Sequence, residues 1–461
     1  MGRPFPDPPT DAPGSAFAVE HGVELRFEGP DELYPTAYRV TEVAAQSVAA
    51  ATAAVAAFDR RRTGREQTVG VDRRHAAVAF RSERHFRLAG QVPASPWGPI
   101  AGTYRTRDDG WVQIHANFPH HEAGSLAVLG VASPDREAVA AAAATWEAEA
   151  LEDALAAAGL CASMQRTTDA WLAHPQGQAL AGLPLLDVEQ IGLAPAETPE
   201  PTGERPLSGV RVLDLTRVIA GPVAGRFLAA HGAEVLKVDG AHLPQIDLLV
   251  VETGPGKRSC LLDLREPTDR DRLLALVRQA DVVIDGYRPG ALGAVGLSPE
   301  ALAAERPGLV LVDLSAYGPV GPWAARRGFD SLVQTATGIT ATGSRVFGAD
   351  RPHPLPCQAL DHGTGYLAAF GVVDALLRRA ADGGSWRVRV PLGRTRHWLE
   401  RLGVIDGTTI PEPDPPTDLL HDLDTVDGPA TLVRPPGTLS LTPPYWASPP
   451  VPLGTHAPTW P

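Results

Sequence analysis

Two hydrophobic patterns alternate along this chain. Up to about residue 193, alanine-rich runs with one polar face recur at helical spacing. They predict a long helix over 42–61, further helices near 136–159 and 166–182, and a short extended run over 111–115. That half therefore reads as mostly helical. Beyond residue 205 the pattern becomes short β-branched runs, 210–215, 234–238, 281–285 and 309–313, separated by helical stretches. Strands apolar on both faces and alternating with helices predict a parallel sheet covered by helices, with ligands bound beyond the strands' carboxyl ends. The expected fold is α/β, a parallel Rossmann-like sheet domain plus a smaller, mostly helical α+β domain.

Proline and glycine mark the joints. Residues 195–203 (PAETPEPTG) read as a linker, and proline crowds both chain ends. The expected division is an irregular segment over 1–35, a helix with a small-domain-like part over 36–193, a linker over 194–205, the sheet domain over 206–395, and a proline-rich return segment over 396–461. Such a tail is ordered only by lying on another surface. An internal similarity crosses this division: 360–369, continuing to Arg379, Gly383 and Val388, aligns with 41–50, continuing to Arg60, Gly64 and Val69, at one offset of 319 residues. The acids Glu42 and Asp361 open the two helices.

Charge and cysteine content narrow the function classes. Forty-one Lys and Arg against 54 Asp and Glu give a net charge of −13, which argues against a nucleic-acid partner. Cys161, Cys260 and Cys357 are far apart, odd in number and without a CxxC pair, which suits a reducing cytoplasm. The basic start and apolar core of a signal peptide are not seen, and the apolar stretch 44–58 is interrupted by Gln46, Ser47 and Thr52, so no membrane span is expected.

Several chemical signatures fail on inspection. The turn after the first strand, 216–225, places Gly221 and Pro222 at a helix start, where free N–H groups receive a phosphate or carbonyl, but GxGxxG is missing. The segment 254–259 (GPGKRS) lacks the first glycine and the Ser/Thr of a phosphate loop, leaving Lys257 and Arg258 as candidate phosphate contacts. His115, His120 and His121 lie in HANFPHH without metal-ligand spacing and read as a surface loop, so no metal site is expected. Ser315 lacks the glycines of a nucleophile elbow. Asp361 precedes a helix reaching about Arg379, with Gly363 and Gly365 just inside. Two readings stand for it: a helix N-cap, or a carboxylate nucleophile beside backbone N–H donors.

The motifs at 206–222, 232–238, 256–259, 288–290, 315–318 and 361–365, in this order and spacing, resemble the class III CoA-transferase family (CaiB/BaiF-like), which also contains alpha-methylacyl-CoA racemases. The resemblance covers about 206–395, and extends more weakly to 62–65, 159–162, 171–176 and the tail. It implies an acyl-CoA:carboxylate CoA-transferase in which Asp361 forms a mixed anhydride and then an enzyme-CoA thioester. Coenzyme A is then a substrate thioester and no cofactor is bound permanently; the partners are an acyl-CoA and a carboxylic acid acceptor. The implied CoA contacts are Val218, Ile219, Ala220, Lys257, Tyr287 and Arg327. A homodimer is implied as well, and Glu42 becomes the remnant of a second Asp361-like position. The chain departs from the family at Gly286, where Asn is common, and at Ala241 and Ala294, where some members carry arginine. Phe329 replaces the histidine of the racemases' Gly-His-Asp, which disfavours racemisation because a phenyl ring exchanges no proton. The alternatives are a degenerate, non-catalytic CoA-binding or partner subunit, and a racemase relative.

Overall fold

A computed structural model describes residues 12–461. Its largest sheet has seven strands: β1 (Asp187–Gly192), β2 (Arg211–Leu215), β3 (Glu234–Asp239), β4 (Lys257–Leu261), β5 (Val282–Asp285), β6 (Val310–Ser315) and β7 (Ser385–Pro391). Their order is β4-β3-β2-β5-β6-β7-β1, parallel throughout except for β1, which runs antiparallel to β7. Central strands such as Val212–Leu215 and Val282–Ile284 are buried along their length, as the unbroken apolar runs require. Strand order reverses between β2 and β5, so their carboxyl ends diverge and open a crevice.

The sequence repeat is structural. Helix α1 (Val40–Thr63) and helix α4 (Ala359–Asp382) each have 24 residues. The residues ahead of them share one backbone conformation: Arg39 has φ −78° and ψ 64°, and Gln358 has φ −77° and ψ 61°. Each helix is followed by a strand and a second helix, Val69–Asp72 with Arg73–Ala79, and β7 with Leu392–Arg401. Val69–Asp72 pairs parallel with Leu25–Glu28 on one side and antiparallel with Thr438–Leu439 on the other, reproducing the β6-β7-β1 edge of the large sheet. The halves exchange closing strands, because β1 comes from the first half and Thr438–Leu439 from the end of the second. α1 and α4 pack on each other in the centre of the molecule. By length and mean hydropathy (1.3) α1 could cross a membrane, but 94% of that stretch is buried inside the protein.

Several expectations need correction. The first half is mostly helical among its regular elements, but the extended run at 111–115 does not stand alone: Gly102–Arg105, Trp111–Ile114 and Ala162–Met164 form a three-stranded antiparallel sheet with its own core. The stretch 136–159 is two helices, Arg136–Ala143 and Ala148–Ala157, and 166–182 is broken at His174 (φ −68°, ψ 139°), since the residue ahead of Pro175 avoids helical angles. Within 1–35, residues 1–11 lie outside the described residues, and the rest holds helix Pro13–Glu20 and strand Leu25–Glu28. The return segment 396–461 is less irregular than expected: it begins inside helix Leu392–Arg401 and contains the hairpin Leu420–Thr425/Gly428–Val433. It does lie on another surface, the indoles of Trp446 and Trp460 donating to the carbonyls of Arg226 (3.1 Å) and Leu276 (3.0 Å).

Candidate active site

Asp361 lies in the first turn of α4 and does not cap it. The open N–H groups of that turn are met from outside: Asp330, at the start of helix α3 (Asp330–Ala336), accepts through Oδ2 from the Asp361 N–H at 2.9 Å. Gln334, one turn on, accepts from the Leu355 N–H at 2.8 Å and donates to the Cys357 carbonyl at 3.3 Å, which ties the approach to α4 in place. The Asp361 carboxylate is thus free of capping duty, and it forms no ion pair among the described residues. Burial, followed by the charges of Asp330 and Glu83, holds it well above the usual carboxylate range. Burial likewise pushes Asp330 up to about 6, against the hydrogen bonds it accepts. Glu83 differs: burial would raise it, but its bond to His362 Nε2 (3.2 Å), the charges of His362 and Arg84 and a backbone hydrogen bond together outweigh that and bring it below its ordinary value.

Asp361 stands between two cavities. The first, of about 350 Å³, lies at the sheet's crevice, walled by the turn after β2 (Thr216–Gly221), the turn after β5 (Gly286–Arg288) and the segment 326–329. Val218, Ile219, Ala220, Tyr287 and Arg327 all line it, so five of the six expected CoA contacts come together. Val218 sits at φ 73°, a conformation that costs a β-branched residue about 1–3 kcal/mol and tends to persist where function holds it. Arg217 and Arg288 line the same wall as Arg327. None of the three is ion-paired among the described residues, and burial together with the charges of Arg288 and Arg217 lowers the Arg327 value. Three mutually repelling guanidiniums in one cavity form a receptor for a polyanion.

Lys257 is the exception. Its Nζ is buried, donating to Asp214 Oδ2 and the Pro222 carbonyl at 2.8 Å each, and it lines neither cavity. Buried charge has to be paired, so this lysine fastens β4 to β2 and to helix α2 (Ala220–Ala230), and its expected role as a phosphate contact is corrected. The basic side chains that do line the first cavity with Arg327 are Arg217 and Arg288. Both lay in the motifs quoted above, yet nothing in their spacing distinguished them from other surface arginines.

The second cavity, of about 460 Å³, is walled by Phe86, residues 92–97 and His115 from the first half, and by Ile246, Leu248, Leu249 and Phe329 from the second. Val218 and Ile219 border both cavities, as do Phe329 and Asp361. The surface-loop reading is corrected here for His115 and His121, while His120 is exposed but lies in the first turn of a helix rather than in a loop. His115 is buried and stacked on Phe329 (centroids 3.7 Å, 5° between planes), and His121, in helix Pro119–Leu129, is buried with Nε2 3.0 Å from Arg327. Burial first, then neighbouring charge, pushes them down to about 3 and about 4. Among the described residues no group of three His, Cys, Asp or Glu could hold a metal ion. Glu42 is tied up differently from Asp361, ion-paired with Arg73 and bonded to Gln46 Nε2 at 2.9 Å.

The family model described as CoA-transferase family III matches residues 26–198 and 207–404. The chain belongs to this family of enzymes. An acyl-CoA transferase of Gibberella moniliformis is 33% identical over 61% of this chain and 53% of its own length. A probable fatty acyl-CoA transferase of Mycobacterium tuberculosis is 35% identical over 41% of this chain and 50% of its own. A crystal structure of the mycobacterial protein is 32% identical, covers 43% of this chain and 59% of that one, and superposes with a TM-score of 0.39. The chain spans about half the length of these curated relatives. The two matched stretches of this CoA-transferase family III member meet at 199–206, within a few residues of the linker that composition marked.

Proposed function

We propose that this family III member moves coenzyme A from an acyl-CoA to a carboxylic acid, with Asp361 as the covalent nucleophile. The observation that carries this reading is the position of the Asp361 carboxyl, buried and without a cation partner, between an arginine-lined cavity and a mostly apolar one. The phosphates of CoA suit Arg217, Arg288 and Arg327, and its thioester then reaches the junction. An Asp361 oxygen attacks the thioester carbon, the C–S bond breaks, and CoA leaves as thiolate from a mixed anhydride. The thiolate attacks Asp361 Cγ, releasing the donor acid and leaving an aspartyl-CoA thioester. The acceptor carboxylate repeats these steps in reverse, so Asp361 is regenerated and no net proton moves. Each tetrahedral step develops an oxyanion. The Asp361 and His362 N–H groups are already given to Asp330 and to the Gln358 carbonyl, so the donors are instead the N–H groups of Ala220 and Gly221, at the start of a helix lining the same cavity.

The test is mass spectrometry after mixing the chain with a panel of acyl-CoAs and quenching with hydroxylamine. A hydroxamate on Asp361, absent from Asp361→Ala, is the expected result. No adduct across the panel, with CoA still bound, turns the reading to a non-catalytic CoA-binding subunit. Racemisation is the weaker alternative: Phe329 lies where a proton-exchanging group is needed, and His362 is engaged with Glu83.

A further inference from the structure

One wall of the 460 Å³ cavity is the segment 92–97, Val-Pro-Ala-Ser-Pro-Trp, which has neither helix nor strand. Two of its side chains are large, apolar and open to water: Val92 is 70% and Trp97 41% exposed. Exposed apolar groups gathered at a cavity mark a surface that something apolar covers. The segment is held in place. Val92 and Ser95 each precede a proline, which restricts them to extended conformations. The Gly98 N–H donates to Asn117 Oδ1 at 3.0 Å, and upstream the Ala89 N–H donates to the Pro429 carbonyl at 2.8 Å. Trp97 meets His115 edge-on (5.8 Å, 61°), and His115 stacks on Phe329 beside Asp361, so an aromatic row runs from the mouth to the nucleophile. Ile246, Leu248 and Leu249 also line this cavity.

Charge tells against a second carboxylate inside. The acids lining the cavity are Glu83, Asp330 and Asp361, and the only basic group among them besides the buried His115 is Arg84, 3.8 Å from Glu83. Even with Asp361 kept from ionising by its burial, Glu83 and Asp330 leave no surplus cation here to pair a second carboxylate.

Resting on the transferase reading, we propose that this cavity takes the acyl group of an apolar monocarboxylic acid, an aliphatic chain or an aryl ring, which Val92 and Trp97 cover, and that it rejects small dicarboxylates. The experiment is calorimetric titration of the full chain, saturated with CoA, with hexanoate, phenylacetate and succinate, repeated on Trp97→Ala and Val92→Asp. Hexanoate and phenylacetate are expected to bind at least about ten-fold more tightly than succinate, the scale on which an apolar pocket discriminates. Both variants should weaken them by about five-fold or more while leaving CoA affinity unchanged. Val92 is exposed enough for its variant to fold even if that of Trp97 does not. Succinate binding as well as hexanoate, or both variants binding hexanoate like the parent, overturns the proposal. These titrations need no turnover, so a missing hydroxamate with apolar acids still preferred rejects the transferase reading alone, and a hydroxamate without that preference rejects this assignment alone.

Discussion

Asp361 is placed where its own charge is costly. Its carboxyl titrates higher in the folded chain than in the unfolded one, so the folded state keeps its full stability below the unfolded value and loses part of it as pH rises through the folded value. Asp361→Asn removes that loss. It should abolish the hydroxamate and leave the melting temperature little changed near pH 3, yet raise it near pH 8. Thermal unfolding of both proteins at the two pH values checks this. Asp330 supplies part of the cost as well as the hydrogen bond that places the nucleophile. In Asp330→Asn the amide oxygen still accepts from the Asp361 N–H, but the neighbouring charge is gone. The acid limb of the kcat/KM profile should therefore move to lower pH, where a merely structural role would lower the amplitude and leave the limb in place.

Between elements, the site depends on how closely two helices approach. A Cβ on Gly365 of α4 would stand 2.5 Å from the Ala220 carbonyl oxygen and 3.0 Å from Val223 Cβ, in the helix that follows β2. Gly365→Ala therefore has to push the nucleophile's helix away from the wall that holds CoA. A loss of about 1–3 kcal/mol in denaturant unfolding is expected, with a fall in hydroxamate yield larger than the lost stability explains. Elements of this kind were partly legible in the sequence. β2, β3, β5 and β6 showed as continuous apolar runs, whereas the glycines after Asp361, read as a place beside backbone N–H donors, include Gly365, which lets two helices approach. β4 was hidden because GPGKRS reads as a loop, and only the fold shows Lys257 reaching across to Asp214. Helices 136–159 and 166–182 ran together because alanine continues the pattern through the breaks. The cavity wall at 92–97 could not be read at all, since it acquires meaning only when Asp361, more than 260 positions later, folds beside it.

At the scale of the molecule, both halves of the chain line each cavity. The first half contributes Phe86, Val92, Trp97 and His115, and the second half the arginines and Asp361. A homodimer, if formed, is not needed to supply any of these residues. Specific activity should accordingly stay constant on dilution through the concentration range in which sedimentation shows the chain becoming monomeric; a drop tracking dissociation would mean that a second copy completes the site. The exchanged closing strands bear on a different matter, the timing of synthesis. Val69–Asp72 finds its antiparallel neighbour at Thr438 and Leu439, and the bond between Thr438 Oγ1 and the Gly70 carbonyl spans 368 residues. At about 5–20 residues per second, the ribosome needs roughly 20–70 s to supply that partner. For this interval one edge of the first-made sheet lies open to any other extended segment, a known route to aggregation, and a chain ending before Thr438 never closes it.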